Sequence, residues 1–271
     1  MTGDLPEWAP PGVDTRRANP ARVYDYWLGG THNFLADQDA GRAVAAVEPN
    51  MRAGVRENRA FLGRAVRFLA AAGIRQFLDI GSGIPTEGNV HEIAQQETPG
   101  SRIVYVDLDP VAVAHSRALL ARNENATIVQ ADLREPEKIL ADAGTRSLID
   151  FAEPVGLLLS AVVHFITDDE DPWRITRTLR DALASGSYLM IGHGTNEGRP
   201  AVAHAAATVY NRSVSSGIHF RSRAEILRFF DGFDLVDPGL VYMTEWRPDS
   251  AQQVPGDPSK FYLLGGVGRK P

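Results

Sequence analysis

The chain has no cysteine among its 271 residues. Disulfides, thiolate nucleophiles, thiolate-held zinc and cysteine-held iron–sulfur clusters are therefore excluded. Long apolar runs are also missing. None approaches the roughly 18 residues needed to span a membrane, so no membrane association is expected. The opening MTGDLPEWAPP has no basic start followed by an apolar core. It does not read as a signal peptide, and the expected location is the cytoplasm. Positive charge is scarce: 28 Lys and Arg stand against 34 Asp and Glu, a net charge of −6. Proteins that track a phosphate backbone usually carry a basic surface. Arg16, Arg17 and Arg22 could form a local patch, but nucleic acid is a disfavoured partner. There is no internal repeat and no low-complexity tract.

What is present is ordinary for a globular protein, with 44% hydrophobic and 23% charged residues. The length suits one large domain with a buried core, or a domain plus a cap. Residues 1 to about 20 are rich in Pro and Gly and read as a surface arm. ARVYDYWLGGTHNF follows, dense in aromatics around a Gly29-Gly30 turn signal. Helical periodicity covers about 36–47 and 55–72, the second stopping at Gly73. The period then changes. Short apolar runs at 75–80, 102–107, 126–130, 154–160 and 187–193 read as buried strands, alternating with helices near 86–97, 110–122 and from 172. That alternation implies a parallel sheet with helices on both faces. Residues 196–220 read as an inserted helix and loop. Ser222 and Glu225 form a capping box for a helix to about 231. The segments 233–246 and 261–270 have no helix between them and suggest an antiparallel pair at the sheet edge.

The chemistry-bearing residues fall where the first three strands end. Asp79-Ile80-Gly81-Ser82-Gly83 supplies a glycine loop that a ligand can approach closely. The third glycine of a dinucleotide fingerprint is replaced by Thr86, after Pro85, which weakens NAD or FAD. Asp79 can receive an ammonium group, directly or through water. Asp107, 24 residues after Gly83, can accept from both hydroxyls of a ribose. Asp132 can accept from an adenine amine while the Leu133 amide meets the ring. The structural alternatives are a plain glycine turn, a strand-end Asp sharing a cap with Asp109, and an ordinary loop Asp.

FLDIGSGIPT, VYVDLDP and ADLR resemble the first three motifs of class I S-adenosylmethionine-dependent methyltransferases. From about Asn19 to Pro271 the chain is similar to an actinobacterial family formerly catalogued as a domain of unknown function. ARVYDYWLGGTHNF, ENRAFLGRAVRFL, QFLDIGSGIPT, VDLDP, ADLR, the HF after the fourth strand and DPGLV carry this likeness. The aromatic segment is its most specific part, because general methyltransferases lack it.

The resemblance implies an α/β, Rossmann-like fold with an N-terminal helical cap. Its seven-stranded, mostly parallel sheet runs 3-2-1-4-5-7-6 with the last strand antiparallel. It implies an arm and cap over 1–54, a methyltransferase domain over 55–271 and an insertion or lid at 195–221. The implied cofactor is S-adenosyl-L-methionine, held by Arg22, Tyr26, Gly30, Asp79, Gly81, Gly83, Pro85, Thr86, Asp107, Leu108, Asp132, Leu133 and Ser160. The acceptor is expected to be a small molecule, and no oligomeric state is implied. A radical methylase and a cytosine-C5 methylase both need cysteine and are excluded.

His164 is the best-placed candidate for a general base, needed when the acceptor is a protonated oxygen or nitrogen. The alternative is a His that satisfies local backbone groups or walls the cofactor pocket. Ser160-Ala161-Val162-Val163 lacks the Asn/Asp-Pro-Pro-aromatic run of amino-methylating nucleic-acid enzymes. Arg22, Tyr24, Tyr26, Trp27, His32 and Asn33 could form a lid, with Arg22 at the cofactor's carboxylate; otherwise the aromatics glue the arm down. The acidic run 168–171 precedes Pro172 and a helix, so helix-dipole complementarity explains it and no metal is expected. His204 and Tyr210 read as surface or lid packing. Two other functions fit: a non-catalytic protein that senses S-adenosylmethionine or S-adenosylhomocysteine, and a nicotinamide-dependent oxidoreductase.

Overall fold

Segments that are apolar at nearly every position become strands covered on both faces. They are β1 (Gln76–Ile80), β2 (Arg102–Asp107), β3 (Ala126–Gln130), β4 (Gly156–Ser160) and β5 (Tyr188–Gly194). In the computed structural model, which describes residues 5–86 and 88–271, they pair in parallel in the order β3-β2-β1-β4-β5. Two short strands follow, β6 (Asp234–Leu235) and β7 (Val241–Tyr242), then β8 (Leu263–Arg269). β8 runs antiparallel to β5 and carries β6 and β7 on its far side.

The sheet therefore has the expected order, with eight strands where seven were expected. The difference is a break in one strand position. Asp234 and Leu235 face Arg269 and Gly268, but Val241 and Tyr242 face Gly265 and Leu264. The register slips between the two pieces. The antiparallel pair closes one edge as expected, with β8 beside β5 and β6 bounding the sheet.

Helices cover both faces. One apolar core packs Leu78, Val104, Leu157 and Leu189 against Ile175, Leu179 and Phe229. The other packs Phe77, Ile103, Leu158 and Met190 against Phe61, Leu69 and Trp246. Burying each such side chain is worth roughly 1.5–3 kcal/mol.

The cap starts with α1 (Pro20–Leu28), inside the segment read only as aromatic-rich. The Asn19 side chain accepts from the Ala21 amide, Pro20 opens the helix, and Gly29 closes it in the left-handed region. After it come α2 (Leu35–Val47) and α3 (Met51–Ala71). The next helix, α4 (Val90–Glu97), begins later than the expected residue 86. The Glu92 carboxylate takes the Asn89 amide at 2.8 Å and fixes the start there.

Six more α-helices follow among the described residues: α5 (Pro110–Leu120), α6 (Pro136–Ala141), α7 (Ala143–Leu148), α8 (Pro172–Asp181), α9 (Pro200–Ser213) and α10 (Arg223–Leu227), the last capped by Ser222. α9 is the inserted helix, and it packs on the cap around Val23, Trp27, Val44 and Tyr210. α3 runs unbroken through residue 54. Its Val55 belongs to that cap cluster and its Phe61 and Leu69 to the sheet core. Trp8 and Val13 of the arm pack against Ile84, Val111 and Ala112 beside the glycine loop. Among the described residues no helix is long and apolar enough to cross a membrane.

Candidate functional site

Parallel strands present their carboxyl ends along one rim, where turns leave backbone amides and strand-end side chains facing outwards. Asp79 in β1, Asp107 at the end of β2 and Asp132 just beyond β3 all line one cleft there, of about 1020 Å³ including its open mouth. Gly81, Gly83, Leu108, Leu133 and Ser160 line it too. From the cap side come Asn19, Pro20 and Tyr24, and Asn58 and Arg59 of α3.

Asp79 is 3% exposed, and its carboxyl accepts no hydrogen bond among the described residues. Burial pushes its pKa up to about 7; the Arg59 guanidinium pulls it down and Asp107 pushes it up. Asp107 accepts from the Gly83 amide at 2.7 Å and the Asp109 amide at 2.9 Å. Burial still lifts it to about 6, against the pull of those amides. Two carboxyls buried at this cost, lining a cleft, suit a ligand with a cation and hydroxyl groups. The Ser82 hydroxyl beside them is buried without a partner among the described residues.

Gly81 has φ +74°, and a Cβ on it would stand 2.3 Å from Val162 Cγ2. Only glycine lets this loop tuck against the segment leaving β4. Asp132 is less free, because its Oδ1 accepts from the Arg134 amide at 2.9 Å and from its guanidinium at 3.3 Å. Arg134 goes on to Glu170 at 2.5 Å and to the Phe165 carbonyl at 3.1 Å, bracing that wall. Leu108 is 54% exposed and offers an apolar surface for a flat ring.

Other expected site residues lie elsewhere. Pro85 lines a smaller recess shared with Asp79, Ser82 and Arg59. The Thr86 amide donates to Asn89 Oδ1 at 3.1 Å, at the start of α4. Arg22, expected at the cofactor's carboxylate, is 4% exposed and outside the cleft lining. Its Nη1 donates to the Asp14 carbonyl at 2.9 Å, and its Nε stands 3.3 Å from Asp109 Oδ2 and 3.8 Å from Asp37 Oδ1. Its charge is consumed in fastening arm, cap and α5 together. Tyr26 lies against Gly41 and under the Arg52 guanidinium, away from the cleft. Gly30 closes over Asp25, whose Oδ1 would be 1.9 Å from a Cβ there. Asp25 in turn takes the His32 amide and the Asn33 side chain.

His164 lines a second cavity, not the cleft. Its Nδ1 accepts from the Gly194 amide at 3.3 Å, so the ring proton sits on Nε2. Burial pulls its pKa well below the usual range, helped by His193 and Arg221. At neutral pH it is a neutral imidazole whose Nδ1 is engaged by the Gly194 amide, and it stands in the second cavity and not among the strand-end carboxyls of the cleft. The second cavity, about 780 Å³ including its open mouth, is mostly apolar and is also lined by Trp27, Tyr210 and Phe261. It shares Pro20, Tyr24, Asn58, Ala161 and Phe165 with the cleft. At that junction Ser160 Oγ donates to Asn58 Oδ1 at 3.1 Å, and Asn58 Nδ2 donates to Tyr24 Oη at 2.8 Å. Tyr24 Oη then donates to the Val55 carbonyl at 3.0 Å.

Asn58 and Ser82 were not singled out from the sequence. The signal for Asn58 was available: it is the polar member of a face otherwise formed by Val55, Phe61, Leu62 and Ala65. In the acidic run, Asp168 pairs with buried Arg221, Glu170 with Arg134, and Asp171 caps α8. Tyr210 is buried against Phe165, while His204 is exposed.

Comparison with known proteins adds the following. Residues 6–271 match the family described as S-adenosyl methyltransferase. No curated protein matches the chain. A Thermobifida fusca YX protein, provisionally described as a methyltransferase, has a crystal structure with TM-score 0.92 and 41% identity, over 98% of this chain and 99% of that one. A DUF574 family protein from Streptomyces avermitilis MA-4680 has TM-score 0.91 and 42% identity, over 95% and 99%. An O-methyltransferase family protein from Burkholderia thailandensis shares the fold, with TM-score 0.53 and 13% identity over 87% of this chain and 61% of that one.

Proposed function

The chain belongs to the S-adenosyl methyltransferase family, and from that premise we propose that it transfers a methyl group from S-adenosylmethionine to a small-molecule acceptor. One observation carries the reading: a polar cleft with buried carboxyls meets an aromatic cavity at Tyr24 and Asn58. The residues present fit the cofactor's chemistry. Asp107 would hold the ribose hydroxyls, Asp79 the ammonium of the amino-acid tail, and Leu108 and Leu133 the faces of the adenine, with Asp132 near its amine. Gly81 and Gly83 allow close backbone approach. When bound, S-adenosylmethionine supplies a strongly electrophilic methyl group. The chain's part is then mostly positioning and exclusion of water. Phe165 and Tyr24 at the junction give ring faces that attract a sulfonium. With a net charge of −6, nucleic acid is not the proposed acceptor, and the cytoplasm is the proposed location.

Purified protein incubated with methyl-labelled cofactor and cell extract should label a compound small enough to pass an ultrafiltration membrane. The engagement of Tyr24 and Asn58 at the junction, which leaves no free base there, favours one competing reading, a protein that binds the cofactor without turnover. Tight S-adenosylhomocysteine binding with no labelled product would establish that reading instead. Binding of NAD but not of S-adenosylhomocysteine would overturn both.

The raised pKa of Asp79 sets a pH dependence. A ligand ammonium needs the ionised carboxylate, and ionised Asp79 grows in as pH rises through about 7. Affinity for S-adenosylhomocysteine should therefore rise with pH. At pH 5.5, with only about 3% of the carboxyl ionised, it should fall roughly thirtyfold below its plateau. Calorimetry from pH 5.5 to 8 reads this directly, and Asp79→Asn should flatten the profile. A flat wild-type profile would remove Asp79 from the ammonium role.

A further inference from the structure

We infer that the aromatic cavity beside the cleft is the acceptor site, and that the acceptor is an uncharged, ring-bearing, mostly apolar molecule. This rests on the methyl-transfer reading and adds the substrate class to it. The cavity, about 780 Å³ including its open mouth, is lined almost wholly by apolar surface, as sites for small organic ligands are. Its aromatic lining includes Trp27, Phe165, Tyr210, Phe220, Phe261 and Tyr262. Phe165 and Tyr210 lie 24° from parallel with centroids 6.2 Å apart, and Trp27 is 6.2 Å from Tyr210. Flat apolar matter is what such walls bury well.

The charges lining the cavity exclude other classes. Lys260 is the one Lys or Arg in it among the described residues, and the buried Glu48 lines it too. A phosphate needs a cluster of donors and cations, which this cavity lacks. A sugar needs many hydrogen-bonding groups, and few polar atoms remain uncommitted here. One is the Tyr262 hydroxyl, buried without a partner among the described residues. Another is Nε2–H of His164, which donates to nothing among the described residues. These two donors suit one or two acceptor atoms on a largely apolar molecule.

The junction also constrains the reacting atom. Of the residues shared by both cavities, Tyr24 and Asn58 alone have polar side chains. Tyr24 already donates to Val55 and accepts from Asn58, while Asn58 accepts from Ser160. Neither can remove a proton, and Glu48 and His164 line the cavity outside the residues it shares with the cleft, so the attacking atom brings its own free lone pair, as a ring nitrogen or an aromatic amine does. That lone pair forms the new bond to carbon. The sulfur–methyl bond breaks with its electrons staying on sulfur, and the positive charge passes to the acceptor atom. Any proton on that atom then leaves to water.

Gly54 of α3 provides the test. It lines the cavity but not the cleft, and a Cβ there has nothing nearer than 3.8 Å, so a larger side chain has room to enter the cavity. Replacing a helical glycine also favours the helix. Gly54→Phe, Gly54→Leu and Gly54→Ala should all bind S-adenosylhomocysteine like the wild type in calorimetry. Labelled product from cell extract should fall at least tenfold in Gly54→Phe, to a lesser degree in Gly54→Leu, and little in Gly54→Ala. The product should partition into octanol from neutral buffer if the reacting nitrogen ends neutral, and should carry the label on nitrogen in either case. Quinoline, as a probe, should compete with labelling in the wild type, and glucose 6-phosphate should not.

Undiminished labelling by Gly54→Phe with intact S-adenosylhomocysteine binding would overturn the site. A phosphorylated or sugar product would overturn the class. Loss of S-adenosylhomocysteine binding by the wild type would instead bring down the methyl-transfer reading, and the acceptor site with it.

Discussion

Asp107→Ala is expected to weaken S-adenosylhomocysteine binding by at least about 100-fold while the protein still folds. A hydrogen bond to a charged group contributes roughly 1.5–3 kcal/mol, and a carboxylate holding both ribose hydroxyls makes two of them. Two opposing effects keep the stability change small. The substitution strands the amides of Gly83 and Asp109, which the carboxylate now accepts. It also removes a carboxyl whose pKa has risen to about 6 because its charged form is costly to bury. Asp107→Asn keeps an acceptor for one amide and separates the two contributions. Calorimetry with S-adenosylhomocysteine and thermal melting together decide the matter, and an unchanged Kd would take Asp107 out of the ribose role.

Arg22→Ala should have the opposite profile, with a large loss of stability and nearly unchanged affinity in the protein that remains folded. Arg22, Asp37 and Asp109 are 4%, 0% and 3% exposed. Removing the cation leaves two buried carboxyls without it, a lesion that costs roughly 3–5 kcal/mol. For a chain of this size that is on the order of a 10 °C drop in Tm. The sign of its pH dependence follows. Burial already raises the pKa of both carboxyls, and Arg22 lowers them. Without Arg22 both rise further. The folded mutant then gains from binding protons, so its deficit should shrink towards pH 5 and grow towards pH 8. A mutant that melts normally but binds the cofactor weakly would restore Arg22 to the ligand.

The contrast between these residues shows what was legible in the chain. Asp79, Asp107 and Asp132 each follow a short apolar run, and strand ends of a parallel sheet converge by topology alone. Their meeting in one cleft could be foreseen without any distance. Arg22 and Tyr26 had no such constraint. Their placement depends on how the cap folds on the domain, through contacts such as Trp27 against Tyr210, 183 positions away in sequence. Even α1 was hidden, because its Asn-Pro start and Gly-Gly end were outweighed by its aromatics. That His164 stands in the second cavity with Nδ1 on the Gly194 amide is a detail no residue pattern encodes. The break between β6 and β7 was similarly invisible, since it is a shift in pairing within a segment already read as extended.

The place of β8 has a consequence for biosynthesis. Residues 263–269 lie inside the sheet, with β5 on one side and β6 and β7 on the other. A nascent chain on the ribosome can therefore assemble the five parallel strands and still leave the edge of β5 bare until this segment emerges. An open edge of that kind invites pairing with another chain. Translational pausing shortly before residue 263 would lengthen that exposed interval, and chaperone occupancy should be greatest there.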